Sequence, residues 1–154
     1  MSKPLQQPSH RDSESKRRPI EPATRNDDLT GRIIGGAIEV HRHLGPDLLE
    51  SIYESALAVE FEMHGIGFRR QAEIPISYRG RVIGAHKLDF IAENVAVLEL
   101  KSVERFDPLF EAQVLTYMRI ANLKLGLLIN FNFPFIARRR QGIYSLKFIF
   151  SVLP

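Results

Sequence analysis

Within the stretch LDFIAENVAVLELKS, residues 88–102, three side chains can do chemistry in combination: Asp89, Glu99 and Lys101. Glu99 and Lys101 stand two apart in an apolar run, so in a strand they share a face with Val97, while Ala96, Leu98, Leu100 and Ser102 take the other. Both faces of that strand are largely apolar, which predicts a central position between two layers. A charge buried there costs several kcal/mol unless it is paired. Glu99 and Lys101 could satisfy each other as a same-face ion pair, and Glu-x-Lys by itself says no more than that. Asp89 alters the balance, because a strand-turn-strand connection would bring it beside Glu99 on the adjacent strand. Two converging carboxylates repel and raise each other's pKa unless a cation neutralises them. Such a pair, with open water positions and an ammonium alongside, is an all-oxygen setting that Mg²⁺ or Mn²⁺ accepts when it works on a phosphodiester.

The elements that must position these groups follow from periodicity. LTGRIIGGAIEVHRHLG spaces Ile33, Ile34, Ala37, Ile38, Val40 and Leu44 at helical intervals, with Thr30 as N-cap and Gly45-Pro46 as the stop. DLLESIYESALAVEFEMHG repeats the pattern through Leu49, Ile52, Tyr53, Ala56, Leu57, Glu60 and Phe61, with Gly65 closing it. Asp47 and Glu50 have the spacing of a capping box at the start of this second helix. The period then drops to two in FRRQAEIPISYRGRVIGAHKLDFIAE, where Tyr78-Arg79-Gly80-Arg81 predicts a hairpin turn and Pro75 an edge or a bulge. VAVLELKSV is the third strand. DPLFEAQVLTYMRIANL returns to helical spacing, with Asp107 as N-cap and Pro108 at the first helical position. LGLLINF and GIYSLKFIF are two further strands. Helix, helix, three strands, helix and two strands make an α/β fold, a mixed central sheet flanked by helices.

The bulk composition sets the outer limits. With 154 residues, 44% of them hydrophobic, the chain fits one domain with one core, placed at residues 29–154 behind a polar, Pro- and Ser-rich leader at 1–28 that reads as disordered. KRRP in that leader is either a solvated tail or a contact for a phosphate backbone. The absence of cysteine excludes disulfides, thiolate metal sites and cysteine nucleophiles. The apolar runs are far shorter than the ~18 residues a membrane span needs, so the expected location is cytoplasmic and no membrane partner is expected. A formal charge of +3 permits a polyanionic partner without requiring one.

Several blocks in one order resemble the GxxExxY proteins of the PD-(D/E)XK nuclease-like superfamily: IIGGAIEVHRHLGPDLLESIYESAL, LDF, LELKSVE, EAQVLTYM and LGLLINF, from about Gly31 to about Asn132. The resemblance implies an αβββαβ, restriction-endonuclease-like core with an extra N-terminal helix. It implies that Asp89 and Glu99 are metal-binding carboxylates and Lys101 the catalytic lysine, with Glu50 completing the site from a helix. Gln113 and Tyr117 match a Gln-x-x-x-Tyr element that borders such sites and orients substrate or lysine. On these assignments Asp89, Glu99 and the Leu100 carbonyl hold Mg²⁺ or Mn²⁺, and the chain is a nuclease acting on nucleic acid, DNA rather than RNA. The rival expectation is a catalytically silent nuclease-fold module that binds nucleic acid or protein; self-association is left open. Where the family has glycine, three residues before the helix glutamate, this chain has Asp47, and its C-terminal segment NFPFIARRRQGIYSLKFIF also departs from the family pattern. Other candidates rank lower. His41 and His43 point to different helix faces, and His86, three before Asp89, should face away from it in a regular strand. Tyr53, one turn after Glu50, is either an anchor for that carboxylate or a buried tyrosine.

Overall fold

The computed structural model describes residues 25–132 and 147–152, with side chains from 28 to 132. The leader up to residue 24, with KRRP, and the RRR run at 138–140 lie outside the described residues. The chain runs α1 (Arg25–Leu44), α2 (Glu50–Met63), β1 (Phe68–Tyr78), β2 (Arg81–Ala92), β3 (Ala96–Lys101), α3 (Pro108–Ala121), β4 (Leu125–Asn130) and β5 (Lys147–Val152). The strands form one mixed sheet in sequential order, β1-β2-β3-β4-β5, antiparallel except where β3 meets β4. The intervening α3 is the crossover that a parallel pair requires.

Helices α1 and α2 cover one face of the sheet and α3 the other, which gives two cores. Ala96, Leu98 and Leu100 of β3 join Leu125, Leu127 and Ile129 of β4 beneath Ile33, Ala37, Tyr53, Leu57 and Phe61. Val97 and Leu128 meet Val114 and Met118 of α3 on the opposite face. The central place foreseen for β3 and the alternation of its faces are therefore observed. α1 starts at Arg25, so Thr30 is not its N-cap; it lies inside the helix and is buried. α2 closes as its sequence predicts: Gly65 takes φ +61 and the Ile66 N–H reaches back to the Phe61 carbonyl at 2.9 Å. Its apolar spacing overstates the buried face, since Leu49 and Ile52 are exposed along with Val59 and Met63. α3 begins as read, with Asp107 Oδ1 accepting from the Leu109 N–H at 2.8 Å and Pro108 next.

The hairpin turn falls at Arg79-Gly80, both with positive φ, as a two-residue primed turn demands. Pro75 lies on the edge strand, one residue before an irregularity at Ile76/Ser77. A second irregularity governs the site. Gln71 adopts φ +49, and the pairing of β1 with β2 passes from Arg70↔Phe90 to Ala72↔Leu88. On one side of this step Phe68, Phe90 and Ala92 pack with α1 and α2; on the other Ala72, Ile74 and Leu88 pack with α3. Both strands thus exchange faces at Gln71 and Asp89.

α3 lies close on β4 because Gly126 has no side chain: a Cβ there would fall 2.4 Å from Met118 Sδ and 2.8 Å from Val114 Cγ1. Gly126→Ala is expected to lower unfolding free energy by about 1–3 kcal/mol through overpacking, measured by urea denaturation, with an unchanged m-value.

Candidate active site

The pairing of β2 with β3 runs Ala92↔Ala96, Ile91↔Val97, Phe90↔Leu98 and then stops, although both strands continue. In an antiparallel ladder the next backbone bond would go to Leu100. Instead the Asp89 carboxylate takes the Leu100 N–H, Oδ2 to N 2.7 Å. A strand residue's N–H and C=O point to the same edge, so the Leu100 carbonyl faces this same opening. Continued by one step, the register sets Asp89 opposite Glu99, as the strand-turn-strand reading expected.

Glu99 is buried, with its Oε2 3.7 Å from Lys101 Nζ, while its Oε1 accepts no hydrogen bond among the described residues. Burial drives its pKa up to about 8; the Asp89 charge adds to the rise, and the Lys101 ammonium and the Asp89 N–H oppose it. Asp89 is raised mainly by burial, against the Leu100 N–H. The Lys101 ammonium lies over the Phe110 ring of α3, 5.1 Å from its centroid, and so has an aromatic wall as well as a carboxylate.

Glu50 enters from the first turn of α2. Burial raises its pKa, opposed first by Lys101, while Asp89 raises it further and the Ser102 N–H lowers it. The capping box does not form: Leu49 is the N-cap residue without a side-chain cap bond, and Asp47 sits in the loop with φ +70. That left-handed backbone is what a glycine supplies most easily and what aspartate tolerates better than most residues. Tyr53 does not anchor Glu50. It is fully buried, stacks on Phe131 at 4.5 Å, donates to the Gly45 carbonyl at 2.6 Å and accepts from the Leu48 N–H at 3.2 Å. Its hydroxyl thus fixes the loop that launches α2.

From α3, Tyr117 is brought to the site: its pKa is raised by burial, then by the charges of Glu99 and Asp89. Gln113 is half-buried one turn earlier on the same helix. His86 is on the site's side of the sheet, stacked on Tyr117 at 4.1 Å between centroids, contrary to simple alternation. The exchange of faces at Asp89 is the reason. His41 is buried within α1.

Three supports escaped the sequence reading. Glu54, one turn beyond Glu50, is buried, accepts from Arg70 Nε and Gln71 Nε2, and raises the pKa of Asp89; Gln71 Nε2 reaches on to Asp89 Oδ1 at 3.5 Å. The i, i+4 repeat of glutamate in ESIYE was its one signal. Ser102 donates its hydroxyl to the Leu48 carbonyl at 2.6 Å, tying the end of β3 to the loop before Glu50. Asn130, fully buried at the end of LGLLIN, exchanges hydrogen bonds with both backbone groups of Val103, at 3.1 and 2.8 Å. An amide closing an apolar strand could have pointed to it.

A model of the PD-(D/E)XK nuclease superfamily matches residues 27–142, and the chain belongs to that superfamily. No curated protein and no solved structure gives a match. Members generally use divalent metal ions. The residues present fit one: Glu99 buries an oxygen that has no hydrogen-bond donor among the described residues, beside a second carboxylate and a backbone carbonyl. Among the described residues no three Asp, Glu, His or Cys side chains form a ready-made cluster. A donor set of two carboxylates and a carbonyl suits an ion that retains several waters.

Without metal, the raised Glu99 pKa makes the folded state bind a proton that the unfolded state releases. Stability from this group is full below about pH 4.5 and is lost as pH rises through about 8. Metal-free wild type should therefore lose thermal stability from pH 5 to 8 more steeply than Glu99→Gln, which should melt at least ~3 °C higher at pH 8 by scanning calorimetry in EDTA.

Proposed function

We propose that this chain is a metal-dependent nuclease of the GxxExxY kind that hydrolyses phosphodiester bonds, DNA rather than RNA. The observation that carries the proposal is the convergence of Asp89, Glu99 and Lys101 where the β2–β3 ladder ends, with the buried Glu99 Oε1 lacking any hydrogen-bond donor among the described residues. Asp89, Glu99 and the Leu100 carbonyl would hold Mg²⁺ or Mn²⁺. When bound, such an ion polarises a phosphate oxygen and lowers the pKa of a coordinated water.

The chain's own groups do the rest. Lys101 presents an ammonium at the site, positioned by Glu99 and Phe110, to meet the negative charge that grows on the non-bridging oxygens during hydrolysis. Glu50 lies within electrostatic reach of Lys101 and Asp89, so it can orient a water at the site's edge. Tyr117 keeps its proton through the neutral range, and the upward shift of its pKa widens that margin, so its hydroxyl can donate to a phosphate oxygen. Gln113, one turn away, would orient the strand beside it. The resemblance in blocks across residues 31–132 and the left-handed Asp47 at the glycine position support the GxxExxY assignment.

Cleavage of single- and double-stranded DNA and RNA, each with Mg²⁺, Mn²⁺ or EDTA, tests the proposal. Wild type should cut DNA only with metal; Asp89→Ala should not cut, and Lys101→Ala should be slower by about 100-fold or more while remaining folded. Folded wild type that cuts nothing in either metal, yet binds DNA with salt-sensitive affinity, would identify a binding module instead.

A further inference from the structure

The β1–β2 hairpin is much longer than the sheet requires. β2 pairs its backbone with β3 only at Phe90, Ile91 and Ala92, and the last hairpin residues buried against α3 are Ala72, Ile74 and Leu88. Beyond them residues 77–85 are all exposed, while β1 and β2 stay paired out to Tyr78↔Arg81. The eight residue-to-residue steps from Asp89 to Arg81 span about 26 Å at ~3.3 Å each, so a two-stranded ribbon runs from the site into solvent. Its Arg79-Gly80 turn is of the tight primed type, which makes the tip defined.

The ribbon's chemistry selects a partner. Lys87, Arg81 and Arg79 follow one another from the site to the tip; Glu73, the one acid between Ala72 and Leu88, lies 3.8 Å from Lys87, so the two arginines carry the ribbon's excess charge. Neither Arg79 nor Arg81 has an acidic partner among the described residues; Arg79 lies over the Tyr78 ring at 5.5 Å. Tyr78, Val82 and Ile83 at the tip are 61%, 67% and 67% exposed. A cationic ribbon with an aromatic and aliphatic end matches a nucleic-acid duplex: the B-form major groove admits a two-stranded ribbon, the arginines reach phosphates, and apolar groups meet base edges. Strand addition by a second copy is disfavoured, because Pro75 lacks an N–H and the bulge at Ile76/Ser77 breaks the outer edge of β1.

We propose that this hairpin is a duplex-tracking arm, holding nucleic acid up to about 7–8 base pairs from the bond to be cut, at ~3.4 Å per pair. It rests on the nuclease reading for its purpose but not for its test. Arg79→Asn/Arg81→Gln removes both charges while keeping a turn sequence, Asn-Gly, that favours the same turn. Val82→Thr/Ile83→Thr removes the apolar tip and keeps β-branched residues. Binding to a 30-base-pair duplex is measured in the Lys101→Ala background, with and without these changes, as affinity against salt and as a hydroxyl-radical footprint. The charge variant should reduce the slope of log affinity against log salt by about 2, and each variant should shorten the footprint by about 7 base pairs on one side. Unchanged slope and footprint would overturn the arm. So would failure of the parent to bind duplex at low salt, or a dimer abolished by the tip variant while DNA binding stays intact. Arm-dependent binding by a wild type that cuts nothing in Mg²⁺ or Mn²⁺ would leave the arm standing and remove the nuclease.

Discussion

The hydrogen bond from the Leu100 N–H to Asp89 Oδ2 is the contact on which the site's geometry depends. It stands where a backbone bond of the sheet would otherwise be. A strand amide left without a partner in the interior is costly, so ending a ladder between two central strands requires a substitute acceptor. Asp89 is that acceptor, and it holds β2 to β3 while letting them diverge. Strand geometry leaves the Leu100 carbonyl facing the same opening, and the register sets Asp89 opposite Glu99. A structural need of the sheet and the assembly of a donor set are met by one side chain.

The Leu100 amide donates to Asp89, and the backbone N–H groups of Ser102 and Asp89 lower the pKa values of Glu50 and Glu99. Burial raises all three pKa values nonetheless, and the Lys101 ammonium is the common opposing charge. These acids sit among their own repulsions, which a divalent cation would relieve. The supporting framework is rigid: Tyr53 fastens the α1–α2 loop, Ser102 ties β3 to it, and Asn130 clamps the segment that leaves Lys101. Glu54 and Gln71 brace Asp89 from the opposite side.

Much of this was legible in the sequence because it depends on period and local chemistry. The alternation through VAVLELK placed Glu99 and Lys101 on one face, and Asp107-Pro108 fixed the start of α3. What escaped depends on tertiary pairing. The left-handed Gln71 has no marker in FRRQAE, yet it exchanges the faces of both strands and brings His86 to Tyr117. Asp47 and Glu50 have the spacing of a capping box, but the backbone at Asp47 is left-handed and the box cannot form. Thr30 looked like a helix start because the polar residues before it hide a helix that begins at Arg25. Glu54 has no marker beyond the i, i+4 glutamate repeat, because its role depends on Arg70 and Gln71 arriving from β1.

The central claim is that Asp89 and Glu99 form a divalent-metal site whose acids are strained by burial in its absence. Titration calorimetry with Mn²⁺ at pH 7, repeated in buffers of different ionisation enthalpy, reads both binding and the protons it displaces. With a Glu99 pKa of about 8, about nine in ten molecules carry that proton at pH 7, and metal binding must expel it. The account predicts one bound ion with close to one proton released, and loss of both in Asp89→Asn. Binding without proton release, or binding that survives Asp89→Asn unchanged, would contradict it.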